Sequence, residues 1–173
     1  RMAGQSVKVG KKRFRERFGR YYEDFRVGDT YEHRPGRTIS EADNTWFTLL
    51  TMNQHPIHFD AEYAKKSEFK KPLVVSTLTV SILVGMSVSD VSQKAIANLG
   101  WKDIRLPKPV FAGDTLYAES TVLEKRASKS RPGEGIVTIR TVGRNQRREV
   151  VCEFGRTMLV MKRNNKLEAR AGY

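Results

Sequence analysis

The middle of the chain carries a strongly apolar segment, residues 76–91, which reads STLTVSILVGMSVSDV. The positions that recur there with helical spacing, and so predict an α-helix, are Leu78, Ile82, Gly85, Val88 and Val91. Serine, threonine and aspartate interrupt the segment, so it predicts a helix of a protein core and no membrane span. Because this helix is apolar on most faces, we expect it to be buried nearly all round by a curved sheet.

The sequence after this segment predicts the strands of such a sheet. Stretches rich in β-branched and aromatic residues alternate with turns that contain glycine, proline or asparagine. These stretches are residues 100–106, 115–128, 136–142 and 149–162. Upstream, residues 30–33 begin a further strand, and Arg34-Pro35-Gly36 is expected to form a turn or an edge feature. The elements together predict the α+β class, with long antiparallel strands around one helix.

Two shorter helices are predicted between the first strand and the apolar segment. Residues 40–51 begin with Ser40, a good N-cap, and Asp43 completes a short version of the capping box. Within this helix, Trp46, Leu49 and Leu50 form one apolar stripe, with Phe47 beside them. Residues 61–67 predict the second helix, with Asp60 near its N-terminus.

Two of the three histidines lie in the loop between these helices, in the sequence Met52-Asn53-Gln54-His55-Pro56-Ile57-His58-Phe59-Asp60. Pro56 prevents a helix through the loop, because proline lacks the N–H group and clashes with the preceding turn. Imidazole exchanges protons near neutral pH, so His58 is a candidate general acid or base. A loop histidine is more often a structural hydrogen-bonding group, and a metal site of His55, His58 and Asp60 is a weaker alternative.

Length, charge and cysteine content indicate the organisation of the 173 residues. We expect a basic flexible arm over residues 1–20, one domain over 21–163 and a polar tail over 164–173. The net charge is +13, and the arm holds eight lysines and arginines against one glutamate. A short amphipathic helix around residues 11–18 is possible in this arm. The single Cys152 suits a reducing compartment, which we expect to be the cytoplasm.

Several separated motifs resemble the MaoC-like dehydratases, which are the (R)-specific enoyl-CoA hydratases. The resemblance covers about residues 21–163 and rests on the order and spacing of the motifs. They are residues 22–29, 37–43, the histidine loop, 97–100, 109–116 and 130–137. The resemblance implies a hotdog fold, in which a curved antiparallel sheet wraps around a long central helix.

The family's hydratase motif places an aspartate five residues before its catalytic histidine, followed by Asn-Pro-x-His. His58 matches the histidine and Pro56 the proline, whereas His55 stands at the asparagine position. Asn53 stands at the aspartate position, and an amide does not accept a proton as a carboxylate does. The resemblance therefore implies that Asn53 orients a water molecule and that His58 is the acid and base.

The same family uses backbone N–H groups at the start of the central helix to polarise the thioester carbonyl. Its His-Gly pair corresponds to Val75-Ser76, which makes the Ser76 N–H the expected donor, together with Thr77. The family's later helix serine matches Ser81. The resemblance thus implies that Ser76 takes part in catalysis and that His55, Thr77 and Ser81 bind the substrate.

The motif Asn-x-x-Pro-x-His-Phe-Asp resembles the motif of the family branch that acts on mesaconyl-CoA or itaconyl-CoA. Those acyl groups carry a second carboxylate, which a cationic side chain in the acyl pocket would bind. Arg37 and Arg131 are candidates for this cation by motif position. A surface ion pair is an equally good explanation of each arginine. Reversible hydration of a 2-enoyl-CoA is implied, with no metal or redox cofactor, since coenzyme A is part of the substrate.

The resemblance also implies a homodimer or higher homo-oligomer, with the coenzyme A channel at the dimer interface. We expect no membrane partner, because no segment predicts a membrane span, and no nucleic-acid partner. Three alternatives remain open at this point. The same fold could carry an acyl-CoA thioesterase, because fold alone does not determine function. Loss of the aspartate suits a non-catalytic acyl-CoA-binding protein, and the basic arm alone would suit a nucleic-acid binder.

Overall fold

The strands and helices follow one another along residues 5–173, the part of the chain that the computed structural model describes. The strands are β1 (Gln5–Gly10), β2 (Arg13–Arg17), β3 (Thr30–Thr38), β4 (Ala95–Arg105), β5 (Thr115–Ala127), β6 (Glu134–Arg144) and β7 (Val150–Met161). The helices are α1 (Glu41–Leu50), α2 (Ala61–Lys66), α3 (Ser76–Ser87) and α4 (Leu167–Ala171).

Five of the strands form one antiparallel sheet in the order β3-β5-β6-β7-β4. Long-range pairing continues along the whole of β6, from Glu134 opposite Met161 to Arg144 opposite Val150. The α+β class and the strands predicted after the apolar segment are confirmed. In β3 the strand continues to Thr38, and the register shifts between His33 and Arg37. The expected edge feature at residues 34–36 is therefore an irregularity within the edge strand β3.

Helix α3 packs against the sheet and carries much of the core. Leu78, Thr79, Leu83 and Ser87 are its buried residues. Leu83 lies so close to Gly143 of β6 that an added Cβ at this glycine would overlap the leucine side chain. The opposite face of α3, which includes Thr77, Ser81 and Gly85, is exposed. Burial nearly all round was therefore a wrong expectation for a single chain, because one sheet covers one side of a helix.

The segment between β3 and α3 holds α1, the histidine loop and α2. Ser40 caps α1, since its Oγ accepts the Asp43 N–H while the Asp43 carboxylate accepts the Ser40 N–H, which confirms the predicted capping box. The apolar stripe of α1 does not face the core, because Trp46 and Leu49 are each 66% exposed and Leu50 is 78% exposed. The residues that α1 buries are Asn44 and Thr48.

The two ends of the chain differ from the sequence-based expectations. Strands β1 and β2 pair as an antiparallel hairpin, so the amphipathic helix suggested around residues 11–18 is wrong. Residues 1–4 of the expected basic arm lie outside the described part of the chain. The polar tail contains α4, whose Glu168 pairs with the buried Lys94 and accepts a hydrogen bond from the Tyr21 hydroxyl. These contacts attach the tail to the domain.

Candidate functional site

His58 ends a single 3-10 turn, Pro56–His58, in the loop between α1 and α2. The turn is closed by the His58 N–H, which donates to the His55 carbonyl oxygen at 3.2 Å. Asp60 then accepts the Tyr63 N–H at 3.0 Å and caps α2, which confirms its predicted capping role. Proline fits the first position of this turn because its missing N–H is not needed there.

The half-buried ring of His58 is oriented by a backbone carbonyl. Its Nδ1 atom lies 2.8 Å from the Leu73 carbonyl oxygen. A carbonyl oxygen only accepts hydrogen bonds, so Nδ1 carries the proton of the neutral ring. The Nε2 atom then presents its lone pair, and no group within residues 5–173 bonds to it. This tautomer is the one that a general base requires.

Asn53 lies at the start of the same loop and is half-buried. The Oδ1 atom of Asn53 accepts the His55 N–H at 3.1 Å. The backbone N–H of Asn53 donates to the Thr48 carbonyl oxygen at 3.0 Å. The Nδ2 group has no hydrogen-bond partner within the described residues. Asn53 therefore holds the loop through one side-chain atom and has two N–H donors left for a small ligand such as water.

His55 shapes the loop from its exposed side. Its Nδ1 atom accepts the Ile57 N–H at 3.2 Å, and this contact caps the turn that carries His58. The ring centroid of His55 lies 5.9 Å from that of His58 and 6.1 Å from that of Tyr63. The asparagine position of the family motif is thus occupied here by an aromatic ring that flanks the candidate base.

The N-terminus of α3 supplies the candidate oxyanion donors. Val75 is the N-cap of the helix, and Ser76 is its first residue. Neither the Ser76 N–H nor the Thr77 N–H has an acceptor within residues 5–173. Free N–H groups at a helix N-terminus stabilise negative charge. Ser81 lies one turn further on, where its Oγ donates to the Thr77 carbonyl oxygen at 2.8 Å.

Asn44 connects these two parts of the site, and the sequence reasoning missed it. Its Nδ2 donates to the carbonyl oxygens of His58 (2.8 Å) and Leu73 (3.1 Å). Its Oδ1 accepts the Val75 N–H at 2.9 Å. Asparagine is a poor helix former, so its presence within α1 was the signal available in the sequence.

The two candidate arginines lie apart from each other. Arg37 pairs with Asp43 at 2.7 Å, and it borders a cleft of about 400 Å³ between β3 and the exposed side of α3. The cleft is lined by Arg34, Pro35, Gly36, Arg37, Ile82, Gly85, Met86 and Ser89. Arg131 lies in the turn between β5 and β6, close to Glu134. The full length of β5 separates this turn from the end of the strand that adjoins Thr38.

Three further features of residues 5–173 bear on function: possible metal ligands, possible membrane spans and the thiol of Cys152. No group of three or more His, Cys, Asp or Glu is placed to hold a metal ion there. Within the same residues, no helix has the length and apolar character needed to cross a bilayer. Cys152 is a buried free thiol, and burial, followed by the charge of Glu153, raises its pKa to about 11.

Comparison with known proteins identifies relatives that agree with one another in their names. A family model described as mesaconyl-CoA hydratase matches residues 7–172. The mesaconyl-CoA hydratase of Cereibacter sphaeroides is 36% identical over 153 residues, which cover 88% of this chain and 44% of the relative. The β-methylmalyl-CoA dehydratase of Chloroflexus aurantiacus is 36% identical over 146 residues, covering 84% of this chain and 41% of the relative. This chain therefore spans less than half the length of these two relatives.

A solved structure supports the fold. A Mycobacterium tuberculosis protein with a double hotdog fold aligns with a TM-score of 0.78 at 23% identity, covering 85% of this chain and 46% of that chain. The hotdog fold predicted from the motifs is confirmed by this likeness. The match over residues 7–172 and the 36% identity to the Cereibacter enzyme also confirm the predicted branch. The chain belongs to the mesaconyl-CoA hydratase family.

Proposed function

We propose that this chain adds water reversibly to a 2-enoyl-CoA thioester. The expected substrate is short, branched and dicarboxylic, such as mesaconyl-CoA or itaconyl-CoA. The names of the two relatives, a mesaconyl-CoA hydratase and a β-methylmalyl-CoA dehydratase, support this class. The observation that carries the proposal is the bond between His58 Nδ1 and the carbonyl of Leu73, three residues before the start of α3, because it leaves Nε2 free as a base.

In the proposed reaction, the Nδ2 group of Asn53 holds the attacking water by donating to its oxygen. His58 Nε2 takes a proton from this water as its oxygen bonds to the β-carbon. The electron pair of the double bond moves towards the thioester carbonyl and forms an enolate. His58 then returns a proton to the α-carbon, so that one water is added in the syn sense and the enzyme is restored.

Stabilisation of the enolate falls to the N-terminus of α3. The Ser76 N–H, with the Thr77 N–H beside it, donates to the thioester oxygen as negative charge develops there. These donors have no competing acceptor in the described chain, so the site does not have to break a protein hydrogen bond first. The chemistry uses coenzyme A as part of the substrate, and we propose no metal or redox cofactor.

We propose that the acyl group lies in the cleft along α3, with an arginine for its second carboxylate. Arg37 borders the cleft along α3, and Ser81 directly precedes Ile82, the first α3 residue that lines this cleft, so Arg37 is our first candidate for the carboxylate. Its pairing with Asp43 would have to loosen or be shared when a carboxylate binds. Arg131 lies at the other end of the sheet, so we propose that it acts in a second copy's site.

We propose that two copies of the chain form the working unit. Strand β4 is an edge of the sheet and leaves one side of its backbone without a partner strand in the described chain. Ile96, Leu99, Trp101 and Ile104 of this strand are exposed. The exposed face of α3 could pack against its copy when the two β4 strands pair. The double hotdog relative, which holds two such units in one chain, supports this arrangement. Sedimentation velocity should give a dimer, and Trp101→Glu should give a monomer.

The activity is tested by following loss of the enoyl thioester absorbance of mesaconyl-CoA, with crotonyl-CoA as the linear comparison. We expect turnover of mesaconyl-CoA, a strong preference over crotonyl-CoA, and loss of turnover in His58→Ala. Measured release of free coenzyme A would instead indicate a thioesterase. Binding of both esters by folded protein without any turnover would indicate a non-catalytic acyl-CoA-binding protein.

The unpaired Cys152 is compatible with the cytoplasm, the location that we propose.

A further inference from the structure

We propose that Asn44 is the positioning residue that sets the ring of His58 against the N–H donors of α3. The role rests on the proposed hydratase function, because it concerns the geometry of that reaction. Asn44 does not touch the substrate in this proposal. It acts through the His58 loop on one side and through the residues before α3 on the other.

The side chain of Asn44 uses its full set of N–H donors within the protein. One N–H of Nδ2 goes to the His58 carbonyl oxygen at 2.8 Å, and the other to the Leu73 carbonyl oxygen at 3.1 Å. Oδ1 accepts the Val75 N–H at 2.9 Å. Asn44 is only 4% exposed, so losing these partners would leave buried polar groups unsatisfied.

The Leu73 carbonyl is shared between the two residues. It accepts the Nδ1 proton of His58 and also an N–H of Asn44. Asn44 therefore holds the carbonyl that selects the His58 tautomer, and it also holds the backbone of His58 itself. Through Val75, the same amide holds the N-cap of α3, one residue before the Ser76 donor.

No other side chain of similar size provides this combination. Aspartate keeps an acceptor for the Val75 N–H but would place a carboxylate oxygen against two carbonyl oxygens. Serine keeps one hydroxyl, which is too short to replace three contacts. Both changes should therefore release the His58 loop from the start of α3 without changing any of the reacting groups chemically.

Loss of this connection should reduce turnover more than binding. A displacement of about 1 Å between reacting groups can lower the rate by ~10²-fold. We therefore expect Asn44→Asp and Asn44→Ser to lower kcat for mesaconyl-CoA by about 100-fold, with KM changed by less than about threefold.

Thr48→Val is the matched control. Thr48 lies one turn further along α1 and is 1% exposed. Its Oγ1 donates to the carbonyl oxygens of Asn44 (2.6 Å) and Thr45 (2.8 Å), both within the helix. The control removes a buried polar group from the same helix face without touching the His58 ring or α3. We expect its kcat to stay within about threefold of the parent, because the side-chain hydrogen bonds that it removes lie within the helix and its backbone carbonyl still accepts the Asn53 N–H. All variants are assayed below the lowest melting temperature of the set.

A second measurement follows the His58 ring directly by ¹⁵N NMR of protein labelled at histidine. Three histidines are present, and the His58 signals are the ones missing from His58→Gln. The parent protein and Thr48→Val should show a protonated Nδ1 and an unprotonated Nε2. In Asn44→Asp and Asn44→Ser, the signals should shift towards the Nε2–H tautomer.

The two measurements together decide the proposal. A lower kcat with an unchanged tautomer would overturn it and leave Asn44 a purely structural residue. An unchanged kcat in both variants would overturn it as well. If the parent protein hydrates neither enoyl-CoA, the proposed function fails. The tautomer comparison then still supports or overturns the control of His58 by Asn44. If Asn44→Asp does not fold, Asn44→Ser carries the test.

Discussion

The ring of His33 lies inside the protein, and its Nε2 atom is 2.8 Å from the hydroxyl oxygen of Ser120. That hydroxyl is in turn 2.9 Å from the Thr141 hydroxyl oxygen, so the three side chains form a buried polar row across β3, β5 and β6. Burial is the main cause that lowers the pKa of His33 from 6.5 to about 4. The charged groups that also act on it are Asp90, which opposes the shift, and Arg156, Arg34 and Arg20, which add to it.

This histidine predicts a loss of stability in mild acid. Between pH 6.5 and about 4 the unfolded chain takes up a proton at His33 while the folded chain does not. Stability should therefore fall as the pH drops through this window, by up to roughly 3 kcal/mol at its lower end. Urea unfolding at several pH values should show this slope, and His33→Gln should show a smaller one. Parallel slopes for the two proteins would contradict the prediction.

The contact between α3 and the sheet predicts a strong effect of a single methyl group. A Cβ added at Gly143 would lie under 3.0 Å from both Cδ atoms of Leu83. Overpacking of this kind costs about 1–3 kcal/mol, so Gly143→Ala should lower the free energy of unfolding by that amount. The control is Gly133→Ala, where the nearest atom would lie 3.7 Å away. Denaturant unfolding of both variants tests the prediction, which fails if they lose similar stability.

The sequence allowed the elements of the fold to be predicted where the signal was local. The Ser40 and Asp43 capping box and the Asp60 N-cap depend on neighbouring residues, and both form as expected. Apolar spacing did not show which face of α1 points inward. Asn44 lies on that face because it is held by hydrogen bonds to residues 14 and 31 positions away. Such partners become known only when the chain is folded.

In the candidate site, too, local features could be predicted from the sequence, whereas contacts between distant residues could not. The loop of Asn53, His55 and His58 could be located from its motif, and the structure joins it to the start of α3. The motif could not show that Leu73 orients the His58 ring, since the two residues are 15 positions apart. It also could not show that Arg131 lies at the far end of β5, because motif order carries no information about strand register.

Cys152 should be inert in the folded protein. It is fully buried, and burial raises the pKa of its thiol to about 11. Because the thiolate is the reactive form, a thiol reagent at pH 8 should label no cysteine in the native state and one per chain after unfolding in urea. Rapid labelling of the native protein would contradict this prediction. It would also reopen Cys152 as a nucleophile for the thioesterase alternative.

Asn53 provides the sharpest test of how the family's aspartate was replaced. Asn53→Asp keeps an oxygen that can accept the His55 N–H, as Oδ1 does at 3.1 Å, and its second oxygen can orient the water by accepting a hydrogen bond from it, in place of the donation by Nδ2. Asn53→Leu has a similar volume but no polar atom for either partner. We expect kcat for mesaconyl-CoA to stay within about tenfold in Asn53→Asp and to fall by about 100-fold in Asn53→Leu, because only the first still orients the water. Equal losses in the two variants would contradict this prediction, because they would show that a hydrogen bond accepted from the water cannot replace the one that Nδ2 donates.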